Sequence, residues 1–399
     1  MRLVRNRDFV LLQTGQLLSA TGSSCTAVAY PLLVLSLTHS PARAGVVSFV
    51  RLLPSPLFGL LAGAAADRWD RRRIMLTADA VRAFAIAGLA VVVLTHPIYW
   101  AIAVVAFVEG CGDPFFFACQ SGAIRNLVPP EELPEAIAVQ QGRIGTVGIA
   151  GPAIGGALFG VGRALPFVAD AASYAFSFAS LRAMRTQFQE PRARSPLRLR
   201  AQLAEGFHFL WGQPFLRATS FVYGISNFTT AAILFVLVVT AKQHGYSGAA
   251  VGGLLAVFSG FVVLGSVSSG FLRRRLSPRA IILTELYSGL GILAFVFWPS
   301  VIVLTVVILP QAVLLPVTDT VVVSRRLTIT PDHLLGRVEA VRATIARSAV
   351  PLGPLTAGLL ISIASVRLAI GVIAILGVAV ALWGTTSRAL DGGSICQHS

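Results

Sequence analysis

Apolar residues along this chain neither alternate with period two nor mark one stripe of a helix; they run in long stretches broken by Gly, Pro or Arg clusters. Six stretches fall at roughly 9 to 37, 44 to 66, 74 to 95, 98 to 122, 137 to 161 and 164 to 184. Six more follow at roughly 214 to 241, 248 to 272, 280 to 297, 300 to 323, 337 to 363 and 366 to 384. A bilayer core takes about 20 residues of helix per crossing, and in lipid every backbone polar group must be satisfied within the protein, as a helix does by itself. The pattern therefore predicts an all-α membrane protein with twelve transmembrane helices. The first stretch is too long for a signal peptide and has no small-residue cleavage site, so it is expected to remain as the first span.

Composition agrees. Hydrophobic residues make up 55% of the 399 and charged residues only 12%, against about 25% charged in soluble domains. The net charge of +15 would fit a nucleic-acid partner, but its placement excludes that reading. Lys and Arg outside the spans concentrate in alternate loops, and only Arg43, Arg163, Lys242 and Arg367 fall on the opposite side. Basic loops mark the cytoplasmic face, so both termini are expected in the cytoplasm of a multi-pass cell-membrane protein, of bacterial type. The one long polar segment, 185–213, holds Arg185, Arg192, Arg194, Arg198 and Arg200 and divides the chain into an N-terminal six-helix bundle (1–184), a cytoplasmic linker and a C-terminal bundle (214–384), followed by a cytoplasmic tail (385–399). A membrane-surface helix is expected around Leu203 to Trp211. Cys25, Cys111, Cys119 and Cys396 have no metal or disulfide spacing. No G-x-x-x-x-G-K-[ST] loop is present, which argues against ATP drive; no long soluble segment could hold an enzyme, and no cofactor is expected.

The two sixes repeat. Arg125-Asn126-Leu127-Val128-Pro129-Pro130 after the fourth stretch is answered by Arg326-Leu327-Thr328-Ile329-Thr330-Pro331 after the tenth, and Gly151-Pro152 by Gly353-Pro354. Two parallel six-span halves with substrate bound between them are the plan of a rocking secondary transporter. Ionisable groups inside spans are expensive and functional by default. Glu109 and Asp113 lie four apart, hence on one helical face, and two carboxylates close together in low dielectric resist being ionised together. They are the leading candidates for proton coupling, with Asp319 next. Arg51, Arg143, Arg342 and Arg347 are the charge partners within reach, and a structural ion pair of the acids with Arg51 or Arg143 competes with the coupling role.

Motifs narrow the family. Gly63-Ala64-Ala65-Ala66-Asp67-Arg68-Trp69-Asp70-Arg71-Arg72-Arg73 resembles the cytoplasmic signature loop between spans two and three of the major facilitator superfamily. The spacing of Gly142, Gly151-Pro152 and Gly155-Gly156 resembles the span-five signature of its drug and proton antiporters. Asp79-Ala80-Val81-Arg82, Asp170-Ala171-Ala172-Ser173-Tyr174 and Gln213-Pro214-Phe215-Leu216-Arg217 extend the resemblance to the branch of macrolide-efflux and enterobactin-exporter proteins. The resemblance implies that Gly63, Asp67, Arg68, Arg71 and Arg72 form a gate motif, with Gly63 allowing close packing and Asp67 meeting the N-terminus of span eleven near Pro331 to Arg337. A plain solvated charge run accounts equally for Arg71 to Arg73. It also implies that spans three and nine are peripheral, making Asp79–Arg82 and Glu285 structural.

Tyr30, Phe115, Phe116, Gln140, Gln141, Tyr223, Asn227 and Phe228 are the candidates for lining a cavity suited to a small amphipathic organic substrate, since such pockets are mostly apolar with few polar groups. The resulting expectation is a monomeric exporter of a drug-like or secondary-metabolite molecule, exchanging it for protons amid membrane lipid, with no nucleic-acid partner. A lipid or lysolipid flippase of the same fold and a nontransporting sensor or scaffold are the alternatives.

Overall fold

The computed structural model describes residues 3–189 and 199–391; Arg192, Arg194, Arg198 and Cys396, and with them the middle of the expected linker and the end of the tail, lie outside the described residues. The helices are α1 (Arg7–Thr38), α2 (Pro41–Leu52), α3 (Pro54–Arg68), α4 (Arg71–Thr95), α5 (Tyr99–Leu127), α6 (Leu133–Val161), α7 (Leu165–Ala183) and α8 (Leu199–Gly212). They continue with α9 (Pro214–Gln243), α10 (Gly248–Arg275), α11 (Pro278–Ser288), α12 (Leu293–Phe297), α13 (Val301–Ile329), α14 (Leu335–Ser348), α15 (Leu352–Ile363) and α16 (Val366–Thr386).

Local chemistry sets their ends. Side chains of Asn6, Ser40, Asp70, Ser277 and Ser365 accept from backbone N–H groups of the first turn of the helix they precede, satisfying donors that a helix start leaves unpaired. Proline begins α2, α3 and α11, where its missing N–H costs nothing. Three expected spans are interrupted: the second breaks between Leu52 and Pro54 into α2 and α3, the ninth passes through a 3-10 turn at Gly289–Ile292, and the eleventh breaks between Ser348 and Leu352. Pro54 and Pro351 supply the first and last of these breaks, because a proline inside a helix removes one hydrogen bond and clashes with the preceding turn.

Eleven stretches among the described residues are helical, long and apolar enough to cross a membrane, which makes this a multi-pass membrane protein. The sixth expected span, α7, is a 19-residue helix that is not among them. Its polarity comes from Asp170, Ser173, Tyr174, Ser177 and Ser180, all buried. They are turned towards other helices and not outward.

The chain forms two compact units, Met1–Leu197 with Ala241–Ala256, and Arg198–Thr240 with Val257–Ser399. In the first unit α1 is central, packing on α2, α6 and α7, while α4 packs on α5 and α7. One end of this unit closes over a cluster of Phe9, Leu12, Met75, Cys119, Ile124 and Leu181. In the second, α11 packs on α13 and α16, and α8 lies along α14, with Leu210 buried against Val338 and Val341. Glu205 of α8 is paired with Arg337 of α14, so the helix expected around Leu203 to Trp211 is docked on protein.

Candidate functional site: a buried charge network

Ionisable groups in the first unit gather where α1, α2, α4, α5 and α7 meet. Glu109 on α5 is fully buried. Arg51, from the last turn of α2, grips it with two nitrogens: Nη2 lies 2.8 Å from Oε1 and Nε 3.3 Å from Oε2. The same Nη2 donates to the Ser23 carbonyl at 3.1 Å, and the guanidinium lies 5.7 Å from the ring centre of Tyr30. From α1, the buried Thr26 hydroxyl reaches both Glu109 Oε1 at 3.4 Å and Asp170 Oδ2 at 2.9 Å. Asp170, also fully buried, accepts in addition from Ser173 at 3.2 Å. It packs so closely on α1 that a Cβ added to Gly22 would meet Asp170 Oδ1 at 2.5 Å.

A second cation sits deeper. Arg82 on α4 donates to Asp79 at 2.9 Å and to Asp113 at 2.8 Å. Its guanidinium lies 4.5 Å from the ring centre of Tyr174 and 5.2 Å from that of Phe116. Gly112 makes room for it, since a Cβ there would come within 2.6 Å of Arg82 Cδ. Asp79 also accepts from Ser177 at 2.6 Å, Gln16 donates to Ser177 at 3.5 Å, and Arg143 donates to Gln16 at 3.4 Å. Ser23 and Tyr174 exchange a hydrogen bond of 2.8 Å, which joins the Arg51 and Arg82 groups into one network.

Of the expected site residues, the structure brings Glu109 to Arg51 and Asp113 to Arg82; the two acids do not bond to each other, and Arg143 reaches Gln16 and not Glu109. Tyr30 and Phe116 are buried within the helix bundle, Tyr30 edge-on to Phe167 at 5.2 Å, so neither offers a free cavity surface in this structure. Phe115 is half-buried beside Phe58; Gln140 and Phe228 are half-buried and Gln141 is exposed.

In the second unit, Asp319 accepts from Tyr223 at 3.0 Å. Arg342 is held by Glu339 through two hydrogen bonds of 2.8 Å and lies 5.4 Å from the Tyr223 ring centre. Glu339 is shared with Arg326. Asn227 donates to the Ala346 carbonyl at 3.0 Å, Arg347 is exposed, and the buried Glu285 accepts from Ser226 at 3.1 Å.

The two motifs acquire definite contacts. Nothing among the described residues lies within 4 Å of where a Cβ on Gly63 or Gly142 would sit. The expected close packing at Gly63 is therefore not seen among the described residues of its unit. In the span-five motif the packing glycines are the later ones: a Cβ on Gly155 would strike the Cys25 backbone at 2.5 Å, and one on Gly156 would lie 2.9 Å from Gly252 Cα. That small-residue edge lets α6 seat on α1 and on the first turns of α10. Asp67 is 3.7 Å from Arg71. Arg71 is buried and donates to the Ala66 and Phe188 carbonyls. Arg72 donates to the carbonyls of Leu181, Arg182 and Met184 at 3.1, 2.8 and 2.6 Å, satisfying acceptors that the end of α7 leaves open and placing a cation at its negative pole. Arg71 and Arg72 are thus tethers. Arg68 is exposed.

Thr26, Ser23 and Ser177 were not singled out by the sequence, and Ser173 only as part of a family motif. A signal was there: Asp170, Ser173, Tyr174 and Ser177 recur at three- and four-residue spacing, one face of a helix.

The profile of the Major Facilitator Superfamily matches residues 14–324. This chain belongs to that superfamily. It is 27% identical to the multidrug efflux pump Tap of Mycolicibacterium fortuitum over 377 residues, covering 90% of each chain. It is also 27% identical to macrolide efflux protein A of Streptococcus pyogenes over 154 residues, 38% of each. Among solved structures, a bacterial homologue of the human lysosomal transporter Spinster matches with TM-score 0.75 and 14% identity over 97% of both chains. The nucleoside transporter NupG matches with TM-score 0.76 and 12% identity over 95% of this chain and 99% of its own. These two share the fold.

Proposed function

We propose that this protein exports a drug-like or secondary-metabolite small molecule in exchange for protons, by alternating access of two six-helix halves. The observation that carries the coupling is the buried network around Glu109: carboxyl groups inside a membrane domain, joined through hydroxyls, are costly to keep and suited to taking up and releasing protons. Similarity to Tap over most of both chains supports export and a broad substrate range. On this reading α7 is a twelfth span whose polar face is turned inward, and both termini are cytoplasmic. Asp67 serves the gate, Glu109 with Arg51 forms the coupling pair, and Asp113 and Asp319 are subsidiary. The test is transport in proteoliposomes under an imposed pH gradient, with ethidium and erythromycin as probes. Gradient-driven accumulation that disappears when the gradient is collapsed is expected; movement indifferent to the gradient refutes proton exchange.

A further inference from the structure

The Asp170–Thr26–Glu109 cluster has more acceptors than hydrogens. The Thr26 hydroxyl owns one hydrogen, yet Glu109 Oε1, Asp170 Oδ2 and the Ser23 carbonyl all lie within 3.4 Å of its oxygen. Glu109 has a cation, Arg51, at 2.8 Å. Asp170 has none at ion-pair distance among the described residues; its side-chain partners there are the hydroxyls of Thr26 and Ser173. A buried carboxylate without a cation, sharing a single hydroxyl hydrogen with a second carboxylate, is an arrangement that desolvation strongly disfavours. A hydrogen on Asp170 resolves the count: Asp170 donates to Thr26 Oγ1, and Thr26 donates to Glu109. The wider tally agrees, since Arg51 and Arg82 face four carboxyls, Asp79, Glu109, Asp113 and Asp170.

We propose that Asp170 holds the exchanged proton and passes it to and from Glu109 through the Thr26 hydroxyl, an inference that rests on the proton-exchange reading above. In the forward step the O–H bond of Asp170 breaks as Thr26 Oγ1 takes its proton. The original Thr26 hydrogen forms an O–H bond on Glu109 Oε1. Thr26 ends unchanged, Asp170 ends as carboxylate, Glu109 ends neutral, and Arg51 loses its counter-ion. The titratable and charged groups around Asp170 are Cys25 and Tyr30 on α1, Arg51 on α2, Glu109 on α5 and Tyr174 on its own helix. Arg82, from α4, lies beyond Tyr174 with Asp79 and Asp113, and Arg143, from α6, is directed at Gln16.

Infrared absorption of the full chain, purified in detergent, tests the proton directly and needs no substrate. The C=O stretch of a protonated carboxyl is separate from that of a carboxylate and shifts on deuteration. The difference between wild type and Asp170→Asn near neutral pH should contain one such band; Thr26→Ser should keep it and Thr26→Val should move it by removing its acceptor. Identical spectra for wild type and Asp170→Asn overturn the inference. In proteoliposomes with ethidium as probe, Asp170→Asn and Thr26→Val should lose gradient-driven uptake while keeping ethidium exchange at zero gradient, and Thr26→Ser should retain both. Exchange at zero gradient shows that a variant is folded. If wild type responds to the gradient and Asp170→Asn responds equally, Asp170 is not the carrier although proton exchange stands. If wild type moves ethidium regardless of the gradient, proton exchange falls and the transport role of Asp170 with it.

Discussion

Removing the Arg82 guanidinium should destabilise the first unit by an amount that the geometry bounds. Arg82 touches two acids, but they are not equivalent: the Asp79 side chain is fully buried, whereas that of Asp113 is 52% exposed. The Asp113 arm is discounted to about 0–1 kcal/mol, as for open ion pairs. Leaving Asp79 as an uncompensated buried charge costs about 3–5 kcal/mol. Its escape is to take a proton, which from an ordinary aspartate value of about 3.9 costs about 4 kcal/mol at pH 7, so the two routes give one figure. Arg82→Gln should therefore lower the midpoint of thermal unfolding in detergent by on the order of 10 °C. The deficit should shrink as the assay pH is lowered, because the escape route then becomes cheaper. Adding Asp79→Asn should restore most of the loss, since the two amides that then face each other carry no charge and the side-chain oxygen at position 79 still accepts from Ser177. An Arg82→Gln protein as stable as wild type, or a double variant no better than the single one, refutes the assignment of Asp79 as the dependent partner.

Four further outcomes are expected. Gly22→Leu should abolish folding or transport, because even a Cβ at that position collides with Asp170, and detergent size-exclusion profiles report which. Arg72→Ala exposes three carbonyls at the end of α7 and should cost about 1–3 kcal/mol, measured by thermal unfolding, with Arg73→Ala near neutral. Asp67→Asn should reduce transport with little loss of folded protein; unchanged transport leaves the loop as a topology mark. Single cysteines near Leu197 should be labelled only after the membrane is permeabilised and those near Ser247 without it; the reverse pattern overturns the assigned orientation.

The helices were legible because hydropathy is additive along the chain. The breaks at Pro54 and Pro351 were legible in principle, since proline acts locally. Charge pairing was less so. Glu109 and Asp113 are four residues apart, which on a helix leaves them about 40° apart around the axis and about 6 Å apart along it. That is one face, yet it is enough for different neighbouring helices to supply their partners: Arg51 from α2 and Arg82 from α4. Which arginine meets which acid depends on the azimuth of every helix involved, a quantity no sequence spacing contains. The spacing of Asp170, Ser173, Tyr174 and Ser177 made the polar face of α7 legible, but not whether it turns inward. Mean hydropathy averages around the helix, so buried hydroxyls and Asp170 lower it just as an outward-facing polar stripe would.

The rigidity of the surroundings decides what a proton on Glu109 would change. Asp170 is wedged against the backbone of α1 at Gly22, and α1 against α6 at Gly155; such close backbone approaches leave no slack for α7 to respond. Arg51 is placed differently. It lies in the last turn of α2, two residues before the break at Leu53; its backbone is held, its carbonyl lying against Gly110 of α5, but its side chain keeps 14% of its surface open. With Glu109 neutral, the guanidinium would keep the Glu109 Oε2 and Ser23 carbonyl oxygens as acceptors but no counter-ion, a weaker hold than a charge-assisted pair. The movable partner in the cluster is therefore the Arg51 side chain, and the carboxyls are its fixed points.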